Sequence, residues 1–231
     1  MKELLCRGLA ELGLDTARAD TLVRFADALV AKNEVMNLTA ITEPTAVAQL
    51  HLLDSAVLAH YAPLSGKRVV DVGTGAGFPG MPLRILQDDF DLTLLDSLGK
   101  RVNWLSEMCA ELGLSRVECV HARAEEFAAK ERERFDYAVS RAVASLNVLS
   151  ELCLPLVKVG GRFIAMKSVD SEEEIAEAKS AIKTLGGKIV AVEDYLIPTS
   201  DVTHRLVVIE KIAPTPGKYP RAFAKIKKQP L

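Results

Sequence analysis

The 231-residue chain lacks the sequence features of secreted, membrane-spanning and metal-binding proteins. Its four cysteines (Cys6, Cys109, Cys119 and Cys153) are far apart and form no C-x-x-C pair, so their spacing fits neither a zinc site nor a disulfide framework. The sequence has no run of about 18 apolar residues, and charged residues interrupt its amino terminus too early for a signal peptide. We therefore expect a cytoplasmic protein with reduced thiols, no bound metal and no membrane association.

Acidic side chains are absent from residues 211–231, although the chain as a whole is slightly acidic. It has 29 Lys and Arg against 31 Asp and Glu, and six of the basic residues lie in this last segment, so the first 210 residues carry a net charge of −8. The six are Lys211, Lys218, Arg221, Lys225, Lys227 and Lys228. Such a segment can bind phosphates or can be a solvated surface, and its charge alone leaves both interpretations open.

Helical periodicity dominates the first third of the sequence. Apolar residues recur at helical spacing after Asp15, a candidate N-cap, as far as a polar break at Lys32–Glu34. A second pattern begins at Pro44, a residue suited to the first helical position, and ends at the breaker Pro63–Gly66. We predict an amino-terminal helical cap over residues 1–64.

Seven short β-branched segments follow the cap. They are Arg68–Val72, Asp91–Leu95, Val117–His121, Phe135–Ser140, Gly161–Lys167, Lys188–Asp194 and Arg205–Lys211. The first six alternate with helical patterns, which predicts right-handed βαβ units. About ten residues separate the last two segments, too few for a crossover helix, so these should pair as an antiparallel hairpin. The predicted fold is α/β, with a doubly wound, mostly parallel seven-stranded sheet over residues 65–212 and a basic tail over 213–231.

A glycine-rich turn follows the first predicted strand. Asp71 precedes Gly73, Gly75 and Gly77, and glycines at such a turn permit positive φ angles and let a ligand approach the backbone. The turn has no Gly-Lys-Ser/Thr ending, which excludes a P-loop. Its match to the dinucleotide fingerprint Gly-x-Gly-x-x-Gly is weak, because the first glycine of that match falls three residues after the strand.

An acidic residue also ends the second predicted strand. Asp96 can accept hydrogen bonds from both ribose hydroxyls of an adenosine, a group that NAD and S-adenosylmethionine share. Asp71 favours S-adenosylmethionine, because an acidic residue before Gly-x-Gly-x-Gly is typical of methyltransferases. We expect its carboxylate to hold the amides of the turn and to face the ammonium group of the cofactor.

Further motifs extend over nearly the whole chain. They are Met36-Asn-Leu-Thr39, His51-x-x-Asp54-Ser55, Asp71-Val-Gly-Thr-Gly-Ala-Gly-Phe-Pro-Gly80, Asp96-Ser97 with Lys100-Arg101, Arg123-Ala-Glu125, Ser140-Arg-Ala-Val-Ala144 and Lys218-Tyr-Pro-Arg221. Together they resemble the bacterial guanine-N7 methyltransferases of small-subunit ribosomal RNA, also called glucose-inhibited division protein B. The resemblance implies a class I S-adenosylmethionine-dependent methyltransferase fold, and as partner the 16S ribosomal RNA or the small ribosomal subunit. We expect a monomer.

The resemblance and the turn together give the expected site residues. The cofactor contacts are Asp71, Gly73, Gly75, Gly77, Phe78, Asp96, Ser97, Ala124, Glu125 and Arg141. The RNA contacts are Asn37, His51, Arg123, Lys218, Arg221, Lys225, Lys227 and Lys228. Structural roles remain open for two of these residues: Asn37 can cap a helix, and His51 can pair with Asp54 to pack a helix against the sheet.

No general base is expected in such a site, because N7 of guanine offers a lone pair and has no proton to remove. The fourth strand is not followed by the Asn/Asp-Pro-Pro-aromatic motif of adenine-amine methyltransferases. Cys153 and Trp104 lie in apolar helical patterns, so we predict that both belong to the core. Two alternatives remain: a methyltransferase of small molecules, and a non-enzymatic RNA-binding factor of ribosome assembly.

Overall fold

A seven-stranded sheet forms the centre of the protein, seen in a computed structural model that describes residues 1–141 and 144–231. Its strands are β1 (Arg68–Val72), β2 (Asp91–Asp96), β3 (Val117–His121), β4 (Phe135–Arg141), β5 (Val157–Ser168), β6 (Gly187–Leu196) and β7 (Thr203–Lys211). They lie in the order β3-β2-β1-β4-β5-β7-β6, and β7 runs antiparallel to both of its neighbours. This topology confirms the predicted fold class, including the carboxyl-terminal hairpin.

Helices cover both faces of the sheet. They are α1 (Lys2–Glu11), α2 (Ala19–Met36), α3 (Pro44–Val47), α4 (Asp54–Ala56), α5 (Gly80–Leu86), α6 (Gly99–Glu111), α7 (Ala124–Lys130), α8 (Leu146–Cys153), α9 (Glu172–Thr184) and α10 (Phe223–Lys228). A π-helical segment, Ala48–Leu53, joins α3 to α4, and a 3₁₀ turn, Val57–His60, follows α4. Residues 44–60 therefore form one continuous helical segment with an irregular centre. In the described part of the chain, no helix is both long and apolar enough to span a lipid bilayer.

The start of the first predicted helix was wrong, and the start of the second was right. Helix α2 begins at Ala19, whereas the carboxylate of Asp15 accepts a hydrogen bond from the Ala17 amide in the turn before it. The polar residues 32–34 do not end the helix: Glu34 is exposed to solvent, and the Asn33 side-chain oxygen accepts hydrogen bonds from the Leu38 and Thr39 amides that follow the helix. Asn37 ends it in a left-handed conformation (φ 50°). The segment after Pro44 starts as predicted.

Two hydrophobic cores lie on opposite faces of the sheet. Alternate residues of β1 supply them: Val69 packs with the amino-terminal helices, and Val70 packs with α8 and α9. The amino-terminal helices thus share a core with the sheet, and the domain boundaries at 64/65 and 212/213 stay predictions. Trp104 and Cys153 are buried, as predicted, and burial raises the pKa of the Cys153 thiol.

Hydrogen bonds between its backbone and the side chains of Arg132 and Glu133 attach the carboxyl-terminal segment to the body of the protein. The guanidinium of Arg132 donates to the carbonyls of Thr215 and Tyr219, and the Glu133 carboxylate accepts from the Thr215 amide. Tyr219 and Ile226 are buried in the second core. The segment that carries the basic residues therefore has a defined position.

Two of its six basic side chains are engaged inside the protein. Lys211 is fully buried, and its ammonium group donates to the Glu133 carboxylate and to two backbone carbonyls, so it presents no surface to a phosphate. The guanidinium of Arg221 donates to both oxygens of the fully buried Glu151, with a shortest distance of 2.5 Å. This pairing argues against the predicted contact between Arg221 and RNA. Lys218, Lys225, Lys227 and Lys228 remain exposed.

Candidate active site

A cavity of about 500 Å³ opens at the carboxyl ends of β1, β2, β3 and β4. Open parallel sheets bind their ligands at this edge, where the loops that follow the strands converge. Ten of the predicted site residues line the cavity: His51, Gly73, Gly75, Phe78, Asp96, Ser97, Arg123, Ala124, Glu125 and Arg141. Residues separated by ninety positions in the sequence are thus brought to one place by the sheet.

The glycine turn leaves room for a ligand at one position and packs tightly at another. Gly73, Gly75 and Gly77 all have positive φ, between 59° and 93°. A Cβ on Gly75 would lie 3.9 Å or more from its nearest neighbours, so it would point into open space in the cavity. A Cβ on Gly77 would lie 2.6 Å from the Met81 side chain, and this glycine does not line the cavity. Gly77 therefore permits close helix packing, in contrast to its predicted cofactor contact.

Asp71 contacts the glycine turn from its buried side and does not line the cavity. It is fully buried, and its Oδ2 accepts hydrogen bonds from the Thr74 hydroxyl at 2.7 Å and from the Gly80 amide at 2.8 Å. Burial raises the pKa of this carboxyl to about 7. The expectation that Asp71 holds an amide at the turn is confirmed. Its contact with the cofactor stays a prediction, since the side chain is buried and does not line the cavity.

Asp96 lies in the cavity wall, and its carboxylate can accept hydrogen bonds from a ligand. Its Oδ2 accepts the Gly75 amide at 2.9 Å, and its Oδ1 accepts the Leu98 amide at 2.8 Å. A carboxylate oxygen can accept two hydrogen bonds, so one acceptor position on each oxygen is left for a donor. Two neighbouring hydroxyls, such as those of a ribose, match this pair of positions. The open space at Gly75 and the acceptors of Asp96 fit an adenosine-containing cofactor.

His51, Phe78 and Arg141 form one wall of the cavity. The imidazole of His51 stacks on the Phe78 ring with centroids 4.5 Å apart, and the Arg141 guanidinium lies 4.7 Å from the same ring. Burial and the Arg141 charge lower the pKa of His51 to about 4. The imidazole is therefore neutral at pH 7, accepting from Arg141 at Nδ1 (3.0 Å) and donating to Thr39 from Nε2 (2.8 Å).

Asp54 holds the Arg141 side chain of this wall in place from the protein interior. It is fully buried and accepts hydrogen bonds from Arg141 at 3.1 Å, from the Tyr195 hydroxyl at 2.6 Å and from His204 at 2.9 Å. The expected pairing of His51 with Asp54 takes the form of a bridge, in which Arg141 bonds to both. Tyr195 and His204 were missed from the sequence because they lie on the last two strands, with no motif to connect them to Asp54.

Phe223, at the start of α10, brings the carboxyl-terminal segment to the cavity. The Arg123 guanidinium lies 4.7 Å from the Phe223 ring and 2.7 Å from the Glu125 carboxylate. The charge of the lysines in this segment predicts an RNA contact, whereas Phe223 carries no comparable signal in the sequence. Asn37 lies outside the cavity and ends α2, next to the lining residues Leu38 and Thr39. Within residues 1–141 and 144–231, no cluster of three or more His, Cys, Asp or Glu side chains could hold a metal ion.

Solved structures with the same fold include methyltransferases. A SAM-dependent methyltransferase from Aquifex aeolicus superposes with a TM-score of 0.53 at 17% identity, covering 72% of this chain and 93% of the other. TrmN from Thermus thermophilus superposes with a TM-score of 0.55 at 21% identity, covering 69% of this chain and 48% of the other. At these identities the likeness concerns the fold.

Sequence comparison assigns the family. The family model for rRNA small subunit methyltransferase G matches residues 18–202. Ribosomal RNA small subunit methyltransferase G of Alkaliphilus metalliredigens is 50% identical over 236 residues, which cover 100% of this chain and 98% of the relative. The protein of that name from Clostridium tetani is 44% identical over 223 residues, covering 95% and 93%. The chain therefore belongs to the rRNA small subunit methyltransferase G family.

Proposed function

We propose that this protein transfers the methyl group of S-adenosylmethionine to N7 of a guanine in 16S ribosomal RNA, as a cytoplasmic monomer acting on the RNA or on the small ribosomal subunit. The observation that carries the proposal is the position of α10. Its first residue, Phe223, lines the cavity, and its last turn carries the exposed Lys225, Lys227 and Lys228. Positive charge for an RNA backbone therefore adjoins the cofactor site, which a small-molecule methyltransferase would not need.

The cavity residues divide between holding the cofactor and shaping the site of attack. Gly73, Gly75 and Asp96 would hold the cofactor, together with Ser97, Phe78, Ala124, Glu125 and Arg141. S-adenosylmethionine supplies an electrophilic methyl group when bound. The ring nitrogen N7 attacks without losing a proton, so the protein needs to align the base and exclude water. The neutral His51, whose Nδ1 accepts from Arg141, fits a site without a general base.

RNA binding would depend on a small part of the surface. The first 210 residues carry a net charge of −8 and would repel a polyanion. Four exposed lysines of the carboxyl-terminal segment would offset this repulsion, and the last three lie on α10, next to the cavity: Lys218, Lys225, Lys227 and Lys228. Arg123 is half exposed at the cavity mouth, where Glu125 offsets its charge, and it would contact the RNA by hydrogen bonding; Asn37 lies at the end of α2, next to two lining residues of the cavity.

Transfer of a labelled methyl group tests the proposal. Purified protein is incubated with S-adenosylmethionine carrying a radiolabelled methyl group and with 16S ribosomal RNA, either free or within small subunits. We expect label in the RNA fraction that ribonuclease releases as nucleotides. Label in small molecules alone would support the small-molecule alternative, and RNA binding with no transfer would support a non-enzymatic assembly factor.

Asp96→Ala should weaken S-adenosylmethionine binding by about 1.5–3 kcal/mol, the range for hydrogen bonds to a charged group. The substitution removes the acceptors for the ribose hydroxyls and releases the Gly75 amide. Isothermal titration calorimetry measures the change. Asp91→Ala is the matched control, because Asp91 lies exposed at the opposite end of the same strand. Equal affinities for the wild type and Asp96→Ala would show that the cofactor does not bind at this carboxylate.

Phe223→Ala should weaken S-adenosylmethionine binding by about 0.5–1.5 kcal/mol, the worth of an aromatic contact. The ring closes one side of the cavity, and its loss would expose that side to water. Phe223→Tyr keeps the ring and should keep the affinity, as measured by the same titration. A Phe223→Ala protein with wild-type affinity would mean that the carboxyl-terminal segment takes no part in the cofactor site.

A further inference from the structure

A second cavity, of about 640 Å³, adjoins the first and shares His51 and Arg141 with it. The other described lining residues come from the segment before α3, from the helical segment 44–60, from Ala144, from the carboxyl end of β5, from α9 and from the start of β7. Binding sites for small organic groups have volumes of roughly 300–1,000 Å³, so the space is sufficient for a nucleobase. The two cavities therefore meet at the wall that His51 and Arg141 form.

The second cavity combines apolar surfaces with one accessible carboxylate. Ile41, Leu50, Met166 and Val202 contribute apolar walls, which suit the faces of a flat aromatic ring. The acidic side chains among the described lining residues are Asp54 and Glu174. Asp54 is fully buried and its oxygens are bonded within the protein, in contrast to the Glu174 carboxylate, which is 28% exposed.

Glu174 is held in position by Lys167. The Lys167 ammonium group lies 2.6 Å from Glu174 Oε1 and donates to the Ala144 carbonyl at 2.6 Å. The Lys167 side chain is only 9% exposed, so this contact is well shielded from solvent. The carboxylate is thus fixed at the cavity wall, with its second oxygen not bonded to Lys167.

A fixed carboxylate selects guanine among the purines. The Watson–Crick edge of guanine carries two adjacent donors, N1–H and N2–H, and a carboxylate accepts both. Adenine has an acceptor at N1, which a carboxylate would repel. In a purine this edge lies on the side of the ring system opposite N7, so a guanine read by Glu174 directs N7 away from α9.

We propose that the second cavity receives the target guanine, flipped out of the RNA, and that Glu174 reads its N1–H and N2–H groups. This inference rests on the proposed function, because it assumes a guanine as substrate. Guanine gains positive charge as N7 is alkylated, which strengthens its hydrogen bonds to a carboxylate in the transition state. Glu174 therefore recognises the base and increases the rate of methyl transfer, and it takes no part in binding the cofactor.

The test compares Glu174→Gln with Glu173→Gln. Glu173 is the preceding residue on α9, is exposed and does not line the cavity, so its substitution makes the same change of charge without touching the base. With unmethylated small ribosomal subunits as substrate, Glu174→Gln should lower kcat about 10- to 100-fold. This is the decrease expected when a transition state loses hydrogen bonds to a charged group. The Kd for S-adenosylmethionine and the circular dichroism spectrum should match those of the wild type, whereas the melting temperature should fall because Lys167 loses its charged partner. Glu173→Gln should behave as the wild type throughout.

A second measurement separates base recognition from a structural role. Guanosine 5′-monophosphate and inosine 5′-monophosphate, which lacks the N2 amino group, are compared as inhibitors. The wild type should be inhibited several-fold better by the guanine nucleotide, and Glu174→Gln should lose that preference. If the wild type is active and Glu174→Gln methylates at the same rate, the inference is overturned. A Glu174→Gln variant that loses cofactor binding together with activity would overturn it as well. A wild type that methylates no guanine would instead refute the proposed function itself.

Discussion

Gly75→Val is expected to abolish S-adenosylmethionine binding and to leave the sheet folded. Gly75 has φ +59°, a conformation in which a β-branched residue is strained by about 1–3 kcal/mol. The valine side chain would also occupy the cavity space at the turn, next to the Asp96 carboxylate that accepts the Gly75 amide. Together, strain and exclusion should raise the Kd more than about 100-fold, since each 1.4 kcal/mol is a factor of ten. Calorimetric titration gives the affinity, and circular dichroism reports the fold.

Gly113→Val is the matched control for this substitution. Gly113 also has positive φ, +66°, with no atom within 4 Å of an added Cβ, and it lies after α6, outside the cavity. Its valine variant should lose stability from the same backbone strain but bind S-adenosylmethionine with unchanged affinity. A soluble, folded Gly75→Val protein with wild-type affinity would refute the assignment of the turn to the cofactor.

Replacing Lys225, Lys227 and Lys228 together with alanine is expected to remove most of the salt-sensitive affinity for RNA. Each phosphate neutralised by a lysine contributes about 0.7–0.9 to the slope of log affinity against log salt concentration. The triple variant should therefore have a slope smaller by about two to three units, measured by filter binding to 16S ribosomal RNA. Saturating RNA should restore most of the single-turnover methylation rate, because these lysines would position the backbone and do not line the cavity.

The control for the triple variant removes the same charge elsewhere. Lys179, Lys183 and Lys188 are exposed on α9 and at the start of β6, and none of them lines either cavity. Their alanine variant should bind RNA nearly as the wild type does, and both variants should bind S-adenosylmethionine normally. If the tail variant keeps the wild-type affinity and slope, RNA recognition would have to depend on Lys100, Arg101, Arg123 and the amino-terminal helices.

Local sequence patterns were sufficient to predict the seven strands and the edge of the sheet at which the cavity opens. The limits of β1 and β3 match their β-branched runs, because these strands lie between clear breakers. Asp96 was identifiable because an acidic residue directly after a buried strand is placed at the carboxyl edge of the sheet. The glycine turn was recognisable for a similar reason, because the spacing of its glycines marks the positions where the backbone has positive φ. These signals all act over fewer than about ten residues.

Pairings between distant residues could not be predicted. Arg221 was assigned to RNA by its charge, but its partner Glu151 is 70 positions earlier in the chain and is buried in α8. Lys211 is likewise neutralised by Glu133, 78 positions away. A basic side chain looks the same in the sequence whether it faces solvent or a buried carboxylate, and only the packing of the carboxyl-terminal segment decides between the two.

The side chains of the glycine turn illustrate a second limit. Asp71 and Gly77 belong to a ligand-binding motif, yet both serve the packing that supports the turn. The pattern identifies the motif as a unit, and it does not separate residues that face the ligand from residues that hold the loop. Strand β1 is covered on both faces, which buries Asp71 with its neighbours, and the contact of the turn with Met81 and Leu105 excludes any side chain at Gly77.

The most direct test of the central claim is the identity of the methylated nucleoside. Unmethylated 16S ribosomal RNA, free and in small subunits, is incubated with the protein and S-adenosylmethionine carrying a deuterated methyl group, then digested and analysed by mass spectrometry. We expect deuterated 7-methylguanosine as the product. A label on any other atom or base, or unlabelled nucleosides despite bound cofactor, would contradict it.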